Sequence, residues 1–503
     1  MNIASFPAGP HAASSGHGPS GAPTGRKLVL LACLMATFMA AVESTIIATA
    51  MPTVVAELGG FGLFAWVFAA YLLTQAVTIP IYGRLADLYG RKPVFFAGCA
   101  LFLAGSTLCG FAWSMAALIG FRAVQGIGAG AIQPLAATIL GDIYSPTERG
   151  RVQALVSSVF GVSAVVGPSL GAFLVEHVAW QAVFWVNLPI GAAAIAMLAA
   201  FLKEDVQHSR HRIDVLGSVL LLVAVGAVLA ALVQATALPR PAFIGLCALG
   251  AAAFAALLWH ERRTPEPMLP LELWRNRIIA LGSFGNCAAG ALMMGVSAFL
   301  PAYVQGPMGR SALAGGLVLG AMSVSWPIAS LAAARLMART SYRFAAIGAA
   351  LALLAGSLIL LALTPARGPL WAGFGSFVIG IGMGMGSTVF IVSIQAAVPW
   401  GQRGAATSSA MFLRFVGQSL GAAACGAVLN ASIRARDPGA IDGADRLLDP
   451  ARRVLLDPAE AARLGHLVAD GLHNAYWLTL GFALVALVPA LLMPPRLNPG
   501  RPG

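Results

Sequence analysis

Fourteen apolar runs of roughly membrane-spanning length follow one another along the 503-residue chain. A helix needs about 20 mostly apolar residues to cross the hydrocarbon core, and lipid tolerates only helices or closed barrels, because every backbone polar group must be satisfied internally. Only 10% of the residues are charged, against about 25% in a typical soluble protein. The sequence therefore predicts an all-α polytopic membrane protein with fourteen transmembrane helices. The predicted spans are residues 28–51, 64–82, 94–111, 115–140, 152–175, 182–202, 213–234, 241–260, 278–304, 312–336, 343–364, 370–396, 405–431 and 474–493.

The basic residues lie between these runs and form no patch, so the net charge of +12 does not indicate a nucleic-acid partner. Most Lys and Arg of the short loops fall on the side of the N-terminus, whereas the opposite short loops hold only Arg240, Arg310 and Arg367. Because Lys and Arg are enriched in cytoplasmic loops, this asymmetry predicts that both termini are cytoplasmic. For a bacterial cell, the expected location is the inner (plasma) membrane.

The carboxylate of Glu43 falls deep inside a predicted span, within the sequence MAAVESTIIATAMP, whereas Asp214 lies only at the first turn of its span. A charge in hydrocarbon is costly, so such a residue faces protein or a water-filled cavity and is a candidate for function. A carboxyl group in a low dielectric is also suited to carry a proton. The sequence predicts that Glu43 is a proton carrier, and the alternative is a structural carboxylate held by a neighbouring residue.

The loop between spans 2 and 3 reads GRLADLYGRK over residues 83–92. Its glycines let two helix ends turn sharply, and Asp87 can accept a charge-assisted hydrogen bond or lie at a helix N-terminus. The spacing resembles the signature loop of the major facilitator superfamily, G-x-L-a-D-x-x-G-R-[KR]. The resemblance implies a loop that locks and unlocks an inner gate, and a simple basic hairpin is the alternative. The implicated residues are Gly83, Arg84, Asp87, Gly90, Arg91 and Lys92.

The next inner loop mixes acidic and basic residues over 141–151. Asp142 ends span 4 and is placed to pair with Arg91, and Arg149 adds a positive charge to the same inner-gate region. A surface ion pair contributes little to stability. We therefore expect it to act as a latch that is present in one state of the protein.

Span 4 contains GFRAVQGIGAG, which resembles the family pattern R-x-x-q-G-x-g-x-G and puts Arg122 inside the membrane. At 1.5 Å per residue, Glu43 lies roughly 12 Å and Arg122 about 10 Å from the outer ends of their spans. The two residues are therefore expected in one membrane layer, with Arg122 setting the proton affinity of Glu43. Whether they share a face stays open here, and bonds from Arg122 to backbone carbonyls are the alternative.

Span 5 carries GVSAVVGPSLGA, which resembles the antiporter motif g-x-x-x-G-P-x-x-G-G through Gly161, Gly167, Pro168 and Gly171, with Ala172 replacing the last glycine. Within the superfamily this motif accompanies exporters. Gly and Pro in a span give a kink and close helix contact.

Span 6 begins with WQAVFWVNLPIG, and span 1 contains VESTIIATAMP. Both resemble the fourteen-span drug:proton antiporters of the QacA-like and EmrB-like group, with Gln181 in place of the usual Arg and Glu43 in place of Asp. An interfacial aromatic belt is the alternative for the start of span 6.

This resemblance implies two six-helix halves and two inserted helices. The expected units are a disordered cytoplasmic tail at 1–26, an N-terminal half at 27–202, the inserted helices with their linkers at 203–277, a C-terminal half at 278–494 and a cytoplasmic tail at 495–503. Residues 432–473 form the one sizeable outer segment, and their apolar spacing predicts one or two short helices on the membrane surface. The second-half counterpart of the signature loop, residues 335–343, lacks the Gly and Asp, so gating is expected to be asymmetric.

Polar and bulky residues in or near the spans are candidates for a substrate cavity, although ordinary helix packing is the alternative for all but Arg414. Arg414 stands out because its half has no acid in the spans to pair with it. Met293 and Met294 add a deformable surface. The candidate cavity residues are Tyr71, Gln75, Gln125, Asn286, Gln305, Trp326, Gln395, Arg414 and Gln418.

No G-x-x-x-x-G-K-[ST] motif occurs in the chain, so energy is expected from an ion gradient. No nucleophile–base or metal constellation is visible, so we predict neither an enzyme, nor a metal site, nor a cofactor. The resulting hypothesis is a proton-coupled exporter of amphipathic or hydrophobic, often cationic compounds, of the multidrug-efflux and antibiotic-resistance type. The alternatives are a dedicated exporter of one endogenous metabolite or lipid, and a non-transporting membrane sensor. Small-molecule substrates, protons and the lipid bilayer are the expected partners; an accessory periplasmic protein and the oligomeric state stay open.

Overall fold

The computed structural model describes residues 23–144, 146–202, 204, 214–235, 238–264, 272–398, 403–440, 447 and 457–494. Fourteen long helices fill these ranges, as predicted, and thirteen of them are long and apolar enough to cross a membrane. The remaining one, α5, is the helix that carries the glycine–proline motif. The helices are α1 Pro23–Leu58, α2 Phe64–Tyr89, α3 Arg91–Gly110, α4 Met115–Ile143, α5 Pro146–His177, α6 Asn187–Phe201 (after one turn, Ala182–Trp185), α7 Val215–Val233, α8 Arg240–Glu261, α9 Arg277–Gln305, α10 Ala312–Arg339, α11 Tyr342–Leu361, α12 Gly368–Ala396, α13 Arg403–Arg436 and α14 Pro458–Leu492.

Several helices begin at a polar capping residue next to an apolar run. Ser114 accepts a hydrogen bond from the Ala117 amide at the start of α4 (3.2 Å), and Asp214 accepts one from Gly217 at the start of α7 (2.8 Å). A side-chain oxygen in this position satisfies one of the amides that lack an intrahelical acceptor. These caps fix where a span starts, whereas hydropathy marks only the part that lies in hydrocarbon.

Two predicted boundaries are wrong where the structure describes them. The N-terminal tail was expected to reach residue 26, but α1 already begins at Pro23; residues 1–22 lie outside the described ranges, as do 495–503. Residues 458–473 are not separate surface helices, because they form the first turns of α14. Their apolar side chains, including Leu464, Val468 and Leu472, are buried in the protein core rather than laid on the bilayer surface.

The two six-helix halves repeat one packing pattern. In the N-terminal half α1 packs on α5 and α6, and α4 packs on α2 and α3; in the C-terminal half α9 packs on α13 and α14, and α12 packs on α10 and α11. Glycines allow the closest approaches: a Cβ on Gly105 of α3 would lie 2.5 Å from the backbone nitrogen of Gln125 on α4. The halves are therefore structural repeats, and they meet through α2 against α13 and α5 against α10.

The inserted pair α7–α8 lies beside this junction. Helix α7 packs on both α2 and α13, one from each half, while α8 packs mainly on α7. At the opposite end of α1 from its N-terminus, hydrogen bonds join the halves directly. These bonds run from Gln305 Nε2 to Thr49 O (3.3 Å), from Leu313 N to Glu176 Oε1 (3.1 Å) and from Asn430 Nδ2 to Gly62 O (2.8 Å).

Candidate functional site

The carboxylate of Glu43 is fully buried in α1 and forms an ion pair with the guanidinium of Arg122 on α4. Arg122 Nη1 donates to Glu43 Oε1, and Arg122 itself is 1% exposed. The sequence placed the two residues in one layer and left a shared face open; the structure brings them into direct contact. A charge pair inside the membrane-spanning region joins the first helix of this half to its fourth.

The guanidinium of Arg122 is held from several sides. Its Nε donates to the Val67 carbonyl of α2 (3.2 Å), and its Nη1 also donates to Gln125 Oε1 (2.7 Å). Its Cζ lies 4.1 Å from the ring centroid of Tyr71. A buried arginine is tolerated where its planar fork is hydrogen-bonded and its face stacks on an aromatic ring. The carbonyl bond proposed as the alternative for Arg122 thus exists beside the ion pair.

The second oxygen of Glu43 binds a neutral donor. Asn187 Nδ2, at the start of α6, donates to Glu43 Oε2 at 2.6 Å and contacts Ser106 Oγ on α3 at 3.0 Å. Ser106 Oγ also accepts from Gln125 Nε2 (3.1 Å) and donates to the Phe184 carbonyl (2.8 Å). The network is closed around one carboxylate, so addition of a proton to Glu43 would weaken its contacts to two other helices, α4 and α6, at once. We call Glu43, Arg122, Gln125, Asn187, Ser106 and Tyr71 the charge network.

Sequence reasoning missed two members of the charge network. Asn187 stands in the W…N-x-P-x-G pattern that starts span 6, so its polar side chain two residues before a proline is a usable signal. Ser106 is one small polar residue in an apolar helix, and nothing in the sequence separates it from other serines of that kind. Tyr71 and Gln125, predicted as cavity residues, belong to this network; Gln75 is buried on α2 one turn beyond Tyr71.

The aromatic start of span 6 is only partly an interfacial belt. Trp180 is 1% exposed, and its indole nitrogen donates to Glu57 Oε2 at 2.7 Å, which ties the segment after α5 to the end of α1. Trp185 is 38% exposed and packs 5.3 Å from the Phe111 ring. Glu57 falls outside the predicted span because α1 continues past the apolar run.

The inner loop turns at Gly90, whose φ of +90° requires a residue without a Cβ. Arg91 forms an ion pair with Asp142, the pairing that the sequence predicts. The amides of Arg91 and Lys92 donate to the Glu204 carboxylate (2.5 and 2.8 Å), which caps the positive N-terminus of α3. Glu204 was not predicted. The loop is thus joined to α4 and to the segment after α6.

Of the other inner-gate residues, Gly83 and Arg84 lie in the last turns of α2, and Lys92 Nζ donates to the carbonyls of Ala199 and Leu202 (both 2.8 Å). The side chains of Asp87 and Arg149 lie outside the described part of the structure. Their roles stay predictions.

The glycine–proline motif places α5 between the two halves. A Cβ on Gly171 would meet the Ile46 carbonyl of α1 at 2.8 Å, and Gly167 faces Thr45 of the same helix. On its other side, Pro168 lies so close to Gly316 of α10 that a Cβ there would approach the Pro168 carbonyl to 2.8 Å. Gly161 lies on the same helix. The motif therefore packs on the helix that carries Glu43 and on the opposite half.

The candidate cavity residues of the second half do not all come together. Gln305 bonds to the Thr49 carbonyl at the junction of the halves. Gln395, at the C-terminal end of α12, donates instead to Thr407 Oγ1 of α13 (3.1 Å). Arg414 and Trp326 do meet, with the guanidinium Cζ 5.3 Å from the indole ring. Asn286 and Gln418 are buried, at 5% and 4% exposure; Gln418 contacts the Met293 sulfur (3.9 Å).

Comparison with known proteins gives a consistent result. The sequence profile described as Major Facilitator Superfamily matches residues 33–422. Multidrug resistance protein 3 of Bacillus subtilis (strain 168) is 35% identical over 405 residues, 80% of this chain and 79% of that protein. Multidrug transporter protein MdtP of the same strain is 33% identical over 409 residues, 81% and 76% of the two chains. The crystal structure of a bacterial homolog to human lysosomal transporter Spinster, inward-facing and unoccupied, superposes with a TM-score of 0.66 at 16% identity, covering 94% of this chain and 97% of that one.

Proposed function

The chain belongs to the Major Facilitator Superfamily and is a multi-pass membrane transporter; we propose that it is a proton-coupled antiporter that exports amphipathic or hydrophobic compounds as a multidrug efflux pump. The breadth of substrates is suggested by relatives named as multidrug transporters. The observation that carries the coupling is the ion pair between Glu43 and Arg122, which joins two helices inside the membrane-spanning region.

Coupling follows from the chemistry of a buried carboxylate. When Glu43 is ionised, Arg122 and Asn187 bind its two oxygens and hold α1 to α4 and α6. Protonation removes the negative charge, so Arg122 loses its ion pair while α1 is freed from part of its contacts. A ligand or proton shifts a two-state equilibrium only through a difference in binding between the states. Exchange of one proton at Glu43 provides such a difference.

The cross-half contacts support alternating access, in which two repeats rock around a central site. In this structure the hydrogen bonds from Gln305, Leu313 and Asn430 close the end at which α1 terminates. With the N-terminus in the cytoplasm, as the basic loops indicate, that end faces outward, so the halves are joined on the outer side in this conformation. We place both termini in the cytoplasm and the protein in the plasma membrane of a bacterial cell.

The test is transport by purified protein in liposomes with an imposed pH gradient and a panel of hydrophobic cations, anions and neutral dyes. Gradient-dependent movement of several compounds, lost in Glu43→Gln, is the expected result. Movement of one compound alone would favour a dedicated exporter instead. Transport that ignores the gradient would remove the proton from the mechanism, and no transport of any compound would favour a sensor.

A further inference from the structure

Arg414 is a cation in the second half whose sequence neighbourhood supplies no counter-charge. No Asp or Glu occurs between Glu272 and Asp437, a stretch that contains the whole of α9 to α13. Arg414 lies eleven residues into α13, about 16 Å along the helix axis from Arg403. Asp437, beyond the far end of the helix, is about 34 Å away on the same scale. The acids of this half lie from Asp437 onward, and none of the ion pairs among the described residues involves Arg414.

The contacts of Arg414 do not replace the missing charge. Within the described ranges, its Nε is buried without a hydrogen-bond partner, and the guanidinium lies against the Trp326 ring. A cation–π contact offsets only part of the cost of placing a charged residue in a membrane helix. Arg414 and Trp326, taken as whole residues, are only partly buried.

The walls around Arg414 combine a rigid side with an adaptable one. Gly290 of α9 lies against the Arg414 carbonyl, where a Cβ would come within 2.5 Å, so the backbone of α13 is fixed. One turn along α13, the Gln418 amide makes, among the described residues, only a long contact to the Met293 sulfur (3.9 Å), which a better acceptor can replace. Thioether side chains also accommodate ligands of different shape.

We propose that Arg414, Trp326 and Gln418 form a binding subsite for the anionic group of an aromatic or amphipathic organic anion, such as a sulfonate or carboxylate. The planar guanidinium binds the two oxygens of such a group, the indole face stacks on the attached ring, and the Gln418 amide donates to a remaining oxygen. The inference rests on the proposed function, since it names a substrate class for the same exporter, and it adds anions to the cations expected from the sequence.

The experiment compares two probes with the same ring system, 1-pyrenesulfonate and a pyrenylmethyl-trimethylammonium ion. Binding to protein in nanodiscs is measured by energy transfer from tryptophan to pyrene in chloride-free buffer, with empty nanodiscs subtracted and without a pH gradient. The variants are Arg414→Gln and Arg414→Lys. Arg367→Gln is the matched control, because Arg367 also lies over a tryptophan, Trp371 at 4.4 Å, but at the end of the span.

Wild-type protein is expected to bind the sulfonate. Arg414→Gln should weaken that binding at least about tenfold, as expected for loss of a charge-assisted hydrogen bond, and leave the ammonium probe within about twofold. Arg414→Lys should lose less, and Arg367→Gln nothing. Because removing an unpaired buried charge does not destabilise a fold, the Gln variant is expected to remain monodisperse.

The proposal fails if wild-type protein does not bind the sulfonate, if folded Arg414→Gln binds it as well as wild type, or if the variant loses both probes equally. The last outcome would mean a structural role for Arg414. Since binding is measured without a gradient, these outcomes are independent of proton coupling. Sulfonate binding that depends on Arg414, together with transport that ignores the gradient, would uphold the subsite and reject the antiporter.

Discussion

The two halves share one packing pattern but treat their membrane arginines differently. In the N-terminal half, Arg122 has a carboxylate, a carbonyl, an amide oxygen and an aromatic ring around it. In the C-terminal half, the guanidinium of Arg414 contacts one aromatic ring, Trp326, among the described residues. The two halves therefore share their helix packing but differ in how the charge of a membrane arginine is neutralised. The comparison separates a cation that is balanced inside the protein from one that a ligand can balance.

This difference suggests a division of labour. A closed network around Glu43 has no position for a substrate group while its bonds are made, but it responds strongly to one proton. Arg414 has no carboxylate partner among the described residues that could gain or lose a proton, but its positive charge can bind an anion. The inner loops show the same asymmetry, because residues 83–92 contain the turn and ion pair that residues 335–343 lack. We expect coupling and gating in the first half and recognition in the second.

The largest effect is expected from Glu43→Gln. The amide is close in shape to the protonated carboxyl but cannot exchange a proton, so export driven by a pH gradient should fall to the level of protein-free liposomes while size-exclusion profiles stay monodisperse. Glu57→Gln is the control on the same helix, since its carboxylate accepts from Trp180 at the far end. A folded Glu43→Gln protein that pumps at the original rate would falsify the assignment of Glu43 as proton carrier.

A smaller loss is expected when the inner loop is altered. Asp87→Asn and Arg91→Ala should each reduce flux about tenfold, corresponding to about 1.4 kcal/mol in the barrier between states. Equilibrium binding in detergent should change by less, about threefold at most, because an exposed pair such as Arg91–Asp142 contributes little to the stability of any one state.

Arg339→Ala, in the counterpart loop of the second half, is the matched control for the inner loop and should leave flux near wild type. Equal losses in Arg91→Ala and Arg339→Ala would mean that the two loops gate alike. A selective loss of binding in the Asp87 or Arg91 variants would instead place residues 83–92 in the substrate site.

Much of this arrangement could be predicted because membrane physics leaves few choices. Apolar run length gives the fourteen helices, and the cost of a charge in lipid singles out Glu43, Arg122 and Arg414. Counting 1.5 Å per residue puts Glu43 and Arg122 at one depth. Depth does not fix the rotation of a helix about its axis. That rotation depends on packing, and only the structure shows that the two side chains face each other.

Neutral partners were the part that sequence could not supply. Asn187 and Ser106 cost little to bury once hydrogen-bonded, so they carry no signal comparable to a charge. Glu204 was overlooked for a different reason, because its carboxylate binds two backbone amides and backbone amides are invisible in a sequence pattern. Helix ends were misjudged at α1 and α14 because helices continue beyond the hydrocarbon that hydropathy detects.

A third prediction tests whether the balanced arginine sets proton affinity. Arg122→Gln removes the charge beside Glu43 and leaves burial, which favours the neutral carboxyl, so the proton should be held to higher pH. The pH of half-maximal substrate-linked proton release should therefore rise. Arg122→Lys should restore part of the shift because it keeps the charge without the planar fork. Arg414→Gln should leave this pH unchanged; three superimposable curves for wild type, Arg122→Lys and Arg122→Gln would mean that Arg122 only packs helices.

The smallest effect separates the neutral donor from the charge in the same network. Asn187→Ala removes the 2.6 Å hydrogen bond to Glu43 Oε2 but leaves the ion pair with Arg122. A donor to the ionised carboxylate stabilises that form, so its loss should raise the pH of half-maximal proton release, but by less than Arg122→Gln does. Ser106→Ala is the control, because Ser106 contacts Asn187 and Gln125 but not Glu43, and it should shift the curve less. If Asn187→Ala moved the curve as far as Arg122→Gln, the carboxylate would be governed by the closure of the whole network rather than by charge. The difference between Arg122 and Arg414 would then lie in how many hydrogen bonds each guanidinium makes, and not in whether a carboxylate balances its charge.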